Sequence, residues 1–227
     1  MVHLRRGAFL VPAFLGLMLT VCASDPAGKA KQETRQAEGL YRLAQLDFNQ
    51  GKNQEAIAHA RKSLDLDPKH ADVHSFLGVV YLVLSDYRNA EKSLLEAVKL
   101  NPYLTDARNT LGAVYMKTGR AAEAESVFVE CLKDKTYPHS EKVHFNLGTL
   151  QLDAKRAADA AESFRRAVEA NPRYARGYYG LGQAQILLGR RADARKSFEK
   201  VIELDPASPE AVKSKEALGL PPGATKG

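Results

Sequence analysis

Small residues recur along most of this chain at a nearly constant spacing. Alanine recurs at Ala56, Ala90, Ala124, Ala160 and Ala194, and glycine recurs at Gly78, Gly112, Gly148 and Gly182. Both series advance by 34 residues, except for one step of 36 that falls in the same part of the chain. A fixed period of this length indicates a stack of structural repeats, in which each unit packs against its neighbours. The sequence therefore predicts an array of equivalent units and not one globular core.

Each repeat is predicted to be a pair of antiparallel helices. The first helix contains a Leu-Gly pair, and the second contains the recurring alanine and an aromatic residue such as Phe128. Small residues at the helix crossing let the two backbones approach closely, while larger side chains fill the space beside them. Because proline cannot continue a helix, we expect the second helices to end at Pro68, Pro102, Pro172 and Pro206.

This pattern resembles the tetratricopeptide repeat over residues 37–206, about three quarters of the chain. The resemblance implies an all-α fold, a right-handed superhelix of about five helix pairs whose concave face is lined by the first helices. We expect a repeat domain over residues 37–220, followed by a disordered tail over 221–227. Its pairs are expected to begin near residues 37, 71, 105, 141 and 175, with a capping helix over 208–220.

The N-terminus has the residue order of a secretory signal. Two arginines precede a short apolar run, and small and polar residues follow it. The sequence LTVC at residues 19–22 resembles a bacterial lipobox, except that Val21 stands where a smaller residue is usual. We therefore predict a signal peptide over residues 1–21, lipidation of Cys22, and a lipidated N-terminus with a flexible tether over 22–36.

Lipidation of Cys22 implies lasting membrane attachment, because each buried acyl methylene adds about 0.8 kcal/mol. Ala23 follows the cysteine, which in lipoproteins of Gram-negative bacteria implies sorting to the outer membrane, on its periplasmic face. A competing interpretation is cleavage after Ala23, which leaves a soluble periplasmic protein. Both interpretations place the repeats in the periplasm.

The repeats are predicted to form a binding module and not an enzyme. The formal net charge of +6 comes from acidic and basic residues mixed along every helix, so no basic stripe predicts a nucleic-acid partner. His70 and His74 could share a helix face, but no third metal ligand accompanies them. Cys131 falls where other repeats have small residues, which predicts a buried thiol and not a nucleophile. We expect no catalytic residue, metal, cofactor or small-molecule substrate.

An apolar stripe follows the predicted inner face of the stack, at positions i, i+4 and i+7 of the first helices. Repeat proteins that bind acidic peptide tails line this face with Lys, Arg and Asn, whereas here it is mainly apolar. The stripe favours a partner with an amphipathic helix or an extended hydrophobic segment. The alternative is that neighbouring repeats cover some of these side chains. We predict a partner-binding groove formed by Tyr41, Phe48, Val79, Leu82, Asn109, Met116, Phe145, Leu152 and Tyr179.

The single step of 36 residues lies within residues 131–148. A Tyr-Pro turn in this stretch, followed by a first helix with the sequence NLG, resembles the type IV pilus biogenesis lipoproteins, the secretin pilotins of the PilW/PilF/Tgl family. We assign a structural role to the five matching residues, which are Tyr137, Pro138, Asn146, Leu147 and Gly148.

The resemblance implies an outer-membrane lipoprotein that binds type IV pilus secretin subunits. It would promote their membrane insertion and multimer assembly, as needed for pilus biogenesis and pilus-dependent motility. The family is usually described with six repeats, whereas five and a capping helix are predicted here. One alternative is a scaffold of another envelope machine, for outer-membrane protein assembly or cell-wall synthesis. Another is an accessory that localises a catalytic partner.

Overall fold

A computed structural model describes residues 26–221 of the protein. These residues form eleven helices and no strands, which confirms the predicted all-α class. The helices are α1 (Pro26–Asn49), α2 (Asn53–Leu66), α3 (Ala71–Val83), α4 (Tyr87–Leu100), α5 (Thr105–Lys117), α6 (Ala121–Cys131), α7 (Ser140–Asp153), α8 (Ala157–Ala170), α9 (Ala175–Leu187), α10 (Arg191–Leu204) and α11 (Pro209–Ala217).

Ten of these helices form five antiparallel pairs, from α1 with α2 to α9 with α10. Three turns inside the pairs contain a glycine with positive φ, at Gly51, Gly119 and Gly189. Glycine adopts this left-handed conformation without a steric cost. The other two turns place Ser85 and Lys155 at φ values of 59° and 60°. All five pairs therefore reverse direction through a residue in the same backbone region.

Each glycine of the Leu-Gly pairs lies directly against a large side chain of the second helix. A Cβ atom added to Gly112 would lie 2.4 Å from Cε1 of Phe128, and one added to Gly148 would lie 2.9 Å from Phe164. Both phenylalanine side chains are almost fully buried. Because the phenylalanine ring occupies the space where a Cβ atom would lie, glycine permits the close packing that the sequence predicts.

The pairs stack so that their first helices lie on the inner side of a curve. Helix α3 contacts α5, α5 contacts α7, and α7 contacts α9, but no comparable contact joins successive second helices within residues 26–221. Helix α11 contacts both α9 and α10, so it continues the row of first helices as a single capping helix. Ser208 caps it, because its Oγ accepts a hydrogen bond from the N–H of Ala211 at 3.1 Å.

The prediction of a flexible tether is wrong for residues 26–36, which form the first turns of α1. This segment consists mainly of Ala, Lys, Gln, Glu and Arg, which all have high helix propensity. Its side chains are mostly exposed. Because no apolar stripe marks the segment, its polar composition suggested a tether although its propensity favoured a helix.

Three predicted features lie outside the described residues. They are the signal peptide over 1–21, the lipidation site Cys22, and residues 222–227 of the predicted tail. Among the helices of the described part, none is both long and apolar enough to cross a membrane. Because Cys22 lies outside the described residues, membrane attachment through it stays a prediction.

The first repeat exposes apolar residues that later repeats bury. Leu43 and Leu46 are 40% and 52% exposed, whereas Leu77 and Val80, which lie 34 positions later, are 4% and 0% exposed. From α3 onward, each first helix packs against the second helix of the preceding pair. Within residues 26–221, α1 has no preceding pair, so this face of α1 is uncovered.

The irregular step is accommodated in a longer turn between α6 and α7. Helix α6 has only 11 residues, whereas α4, α8 and α10 each have 14. Tyr137 of this turn is buried, and its hydroxyl donates a hydrogen bond to Asp106 of α5. The Thr105 hydroxyl also donates to Asp134 of the turn, at 2.9 Å. These bonds attach the turn to α5, so Tyr137 has a structural role.

We predict that Gly112→Val destabilises the protein by about 2 kcal/mol, because the new side chain overlaps the Phe128 ring. Gly39→Ala is the matched control, since Gly39 is also helical but has nothing within 4 Å of its added Cβ atom. This control should stabilise the protein by up to about 1 kcal/mol through helix propensity. Urea unfolding monitored by circular dichroism measures both effects, and equal midpoints for the two variants would contradict the packing account.

We predict that native Cys131 reacts slowly with Ellman's reagent. Its side chain is 1% exposed, and burial raises the pKa of its thiol to about 11. At pH 8 only about one thiol in a thousand is therefore ionised. The measurement uses the Cys22→Ala variant so that one thiol reports, and the same protein unfolded in urea is the control. Equal rates in the two states would show that Cys131 is accessible.

Candidate functional site

Two recesses lie on the inner face of the part of the stack that the structure describes. The N-terminal recess has a volume of about 570 Å³ and is lined by Tyr41, Gln45, Phe48, Asn49, Asp72, Ser75, Phe76, Val79, Leu104 and Asp106. The C-terminal recess has a volume of about 500 Å³ and is lined by Leu152, Tyr179, Gln183, Ile186, Leu187, Phe198, Lys213 and Ala217. Together they take in five of the nine predicted groove residues.

Three aromatic rings form the floor of the N-terminal recess. Tyr41 and Phe48 lie two turns apart on α1, and both pack edge-on against Phe76 of α3, with ring centroids 5.6 and 5.7 Å away. Such edge-to-face contacts hold the rings in defined positions. All three side chains are only partly buried. The recess therefore offers a fixed aromatic surface to a partner.

Polar groups surround this aromatic floor. Desolvation raises the pKa of the Tyr41 hydroxyl, and the nearby carboxylate of Asp72 raises it further. The hydroxyl therefore stays protonated at neutral pH and can donate a hydrogen bond. Asp72 and Asp106 are exposed at the rim, and Gln45 and Asn49 add two amides. This arrangement is typical of a site that binds an apolar group and orients it with a few polar contacts.

The C-terminal recess combines a tyrosine with exposed aliphatic side chains. Tyr179 packs against Phe198 of α10 at 5.9 Å, and Gln183 Nε2 donates a hydrogen bond to its hydroxyl at 3.2 Å. Burial raises the pKa of Tyr179. Ile186 and Leu187 are exposed beside it. This recess provides a second apolar contact surface on the inner face.

The middle of the predicted groove is more closed. Asn109 is 8% exposed, and its Oδ1 accepts a hydrogen bond from Nδ2 of Asn146 at 2.9 Å. This corrects the prediction of Asn109 as an open groove residue, because its amide joins α5 to α7. Phe145 packs against Phe164 and Tyr174, with centroids 5.7 and 5.6 Å away. Stacking of the repeats thus closes the centre and leaves the ends open.

Two further predicted groove residues, Leu82 and Met116, are half-buried and pack against the central core. Neither residue lines a recess. The predicted residues that do line one are Tyr41, Phe48, Val79, Leu152 and Tyr179. Partner binding by these five residues stays a prediction.

Sequence reasoning missed several residues that line the recesses. Phe76 lies one position after the predicted stripe, and its aromatic ring was the available signal. Leu104 lies in a turn and Lys213 lies in the capping helix. The positions of these two depend on how neighbouring elements pack, which the helical period does not specify.

The described residues include no group of three or more His, Cys, Asp or Glu side chains that could hold a metal ion. His70 packs against the Tyr41 ring at 5.5 Å, and His74 Nε2 lies 3.0 Å from the carbonyl oxygen of Pro68. Both imidazoles therefore have local structural contacts. What the inner face offers is apolar contact area with a polar rim.

Family models of the tetratricopeptide repeat match residues 41–105 and 145–209, and a second such model matches residues 104–135. The first model alone covers more than half of the chain. The matched segments contain both recesses except for the part contributed by α11.

The chain is 28% identical over 170 residues to the type IV pilus assembly protein PilF of Pseudomonas aeruginosa PAO1, covering 73% of this chain and 67% of PilF. Its fold is similar to the crystal structure of PilW, a widely conserved type IV pilus biogenesis factor, with a TM-score of 0.72 at 22% identity over 81% of this chain and 86% of PilW. It is also similar to YrrB, a repeat protein with an unusual peptide-binding site, with a TM-score of 0.58 at 22% identity over 86% of this chain and 100% of YrrB. The chain therefore belongs to the tetratricopeptide-repeat family and is related in sequence to the pilus assembly protein PilF, which confirms both resemblances.

Proposed function

We propose that the protein is a lipid-anchored outer-membrane protein that binds type IV pilus secretin subunits. In this role it promotes their membrane insertion and multimer assembly, and thereby pilus biogenesis and pilus-dependent motility. The relation to PilF supports a role in pilus assembly. The choice of the secretin as partner is supported by the family resemblance and by the chemistry of the two recesses.

The observation that carries this proposal is the pair of apolar recesses on one inner face. An unassembled subunit of a membrane ring exposes apolar surface, and such surface aggregates readily in water. Because the aromatic rings of the inner face are partly exposed in the folded protein, they can cover an apolar segment of a partner without any unfolding of the repeats. Contiguous apolar surface of this kind marks interaction sites in soluble domains. Binding at the recesses therefore protects the subunit until it inserts.

The helical start of α1 gives the anchor a defined geometry in this proposal. Only three residues separate Cys22 from Pro26, where α1 begins. Residues 26–36 span about 16 Å as a helix. Lipidated Cys22 would therefore hold the N-terminal recess within a short distance of the membrane. A partner inserting nearby would meet Tyr41 and Phe48 first.

We predict that Cys22→Ala leaves the fold intact but releases the protein from the membrane fraction, because the acyl chains provide the attachment. Circular dichroism tests the fold, and fractionation of envelopes with and without detergent tests attachment. Ala23→Gly is the matched control, since it keeps the modified thiol. Full membrane retention of Cys22→Ala would contradict the lipid anchor.

We predict that Val79→Gln and Ile186→Gln each weaken binding of the purified secretin subunit about tenfold. Each change removes apolar contact in one recess, which is equivalent to about 1.4 kcal/mol. Val79 is partly buried and Ile186 is exposed, so neither change opens a core cavity. Isothermal titration calorimetry measures the affinity.

The matched control is Val129→Gln on α6, where an exposed valine lies outside both recesses. Its affinity for the secretin subunit should equal that of the unchanged protein. An equal loss of affinity in all three variants would contradict binding at the recesses. A pull-down from solubilised envelopes that recovers only wall synthases or a barrel-assembly complex would instead support the scaffold alternative.

A further inference from the structure

One exposed position in the first helices changes its charge along the stack. In successive repeats it is Glu38, Asp72, Asp106, Lys142 and Arg176. Each of these lies three residues before the first stripe residue of its repeat, which is Tyr41, Ser75, Asn109, Phe145 or Tyr179. All five side chains are exposed. The position is therefore acidic in the first three repeats and basic in the last two.

Contacts connect this charged row to the inner face at both ends. Asp72 and Asp106 line the N-terminal recess. The Arg176 guanidinium lies 4.7 Å above the ring centroid of Phe145, a residue of the inner stripe. Lys213, from the capping helix, adds a positive charge in the C-terminal recess. The N-terminal end of the inner face is thus bordered by carboxylates. Cations of the row lie at the C-terminal end, together with Glu210 and Glu216 of the capping helix, whose carboxylates act on Tyr179.

Helix stability explains only half of this pattern. Acidic residues in the first turn of a helix interact favourably with the positive end of its dipole. Stabilisation of α3 and α5 is therefore enough to explain the negative charges of Asp72 and Asp106. Arg176 is the second residue of α9, as Asp72 and Asp106 are of α3 and α5, and a positive charge there is unfavourable. Lys142 is the third residue of α7, whose first turn also contains Glu141. The sign change therefore opposes helix stability at Arg176, so stabilisation of the helices does not account for it.

Except at Asp106, which accepts the hydrogen bond of the Tyr137 hydroxyl, the neighbouring contacts leave these charges available. Arg176 pairs with Glu210 at 3.5 Å, and Glu38 pairs with Arg42 at 3.5 Å. The Arg176, Glu38 and Arg42 side chains are each half exposed or more, so these pairs are weak and easily exchanged. A partner that places opposite charges here can compete with them.

We infer that the inner face binds an amphipathic helix whose two ends carry opposite charges. Basic residues of this helix lie over the first three repeats and acidic residues over the last two, while its apolar face fills both recesses. The three steps from α3, which carries Val79, to α9, which carries Ile186, span roughly 30 Å, which matches a helix of about 20 residues. The inference rests on the proposed function, since it specifies the segment by which the partner is held and fixes its direction.

The test uses three synthetic helical peptides of about 20 residues with the same Leu and Ala face. The first has Lys at one end and Glu at the other, the second has Gln at both ends, and the third has Lys at both ends. Fluorescence anisotropy with the full chain measures each affinity. The first peptide should bind about fivefold more tightly than the second, and this difference should vanish at about 0.5 M salt.

Charge reversals on the protein test the assignment of each end. Lys142→Glu should weaken binding of the first peptide several-fold but leave binding of the Gln peptide unchanged. The unfolding midpoint of this variant should stay equal or rise, because a negative charge suits the N-terminal end of the helix dipole. Glu38→Lys with Asp72→Lys should have the same selective effect on binding. Asp65→Lys with Asp193→Lys is the matched control, because it makes an equal charge change on exposed positions of the second helices α2 and α10. This control should bind all peptides as before.

Direction is tested with a nitroxide attached to either end of the first peptide. The label at the Lys end should broaden the methyl resonances of Val79, and the label at the Glu end should broaden those of Ile186. The inference is overturned if all three peptides bind equally, if none binds, or if the broadening is reversed. Binding of the secretin subunit is measured separately, so a failure of the peptides with intact secretin binding rejects the charge assignment and leaves the proposed function standing.

Discussion

Close contact between a glycine of one helix and a large side chain of the next sets the geometry of every complete repeat after the first. Gly112 against Phe128 and Gly148 against Phe164 let the aromatic ring of the second helix pack directly on the backbone of the first helix. The aromatic side of each second helix is buried against the first helix of its pair. The opposite face of that first helix therefore lies on the inner side of the stack. The inner face of the stack, with its two recesses, is a consequence of that packing.

This rigid arrangement makes the inner face suitable for holding a segment that is not yet folded in its final place. The rings of the N-terminal recess are fixed by one another, and those of the C-terminal recess by α10 and α11. Ordering of the protein on binding is therefore slight, so more of the contact energy remains as affinity. Charged groups at the two ends add direction to an interaction whose strength comes from apolar contact.

The helical period predicted the helix pairs and the stripe that contains Tyr41 and Tyr179. It could not predict which stripe residues stay open, because Asn109 is closed by Asn146, a residue one repeat further along. Leu43 shows the same limit in reverse, since it matches the buried Leu77 in sequence but has no preceding pair in the described residues. For residues 26–36, helix propensity favours a helix whereas the polar composition suggests a flexible tether, and the structure has a helix there.

The central claim is that the recesses of the inner face contact the partner. Hydroxyl-radical footprinting of the protein with and without the purified secretin subunit tests it most directly, because aromatic side chains are readily oxidised when accessible. We expect oxidation of Tyr41, Phe48 and Tyr179 to fall in the complex. Tyr103, which is 89% exposed in a turn, should remain as reactive as before. Unchanged oxidation of the recess rings in a saturated complex would contradict the account.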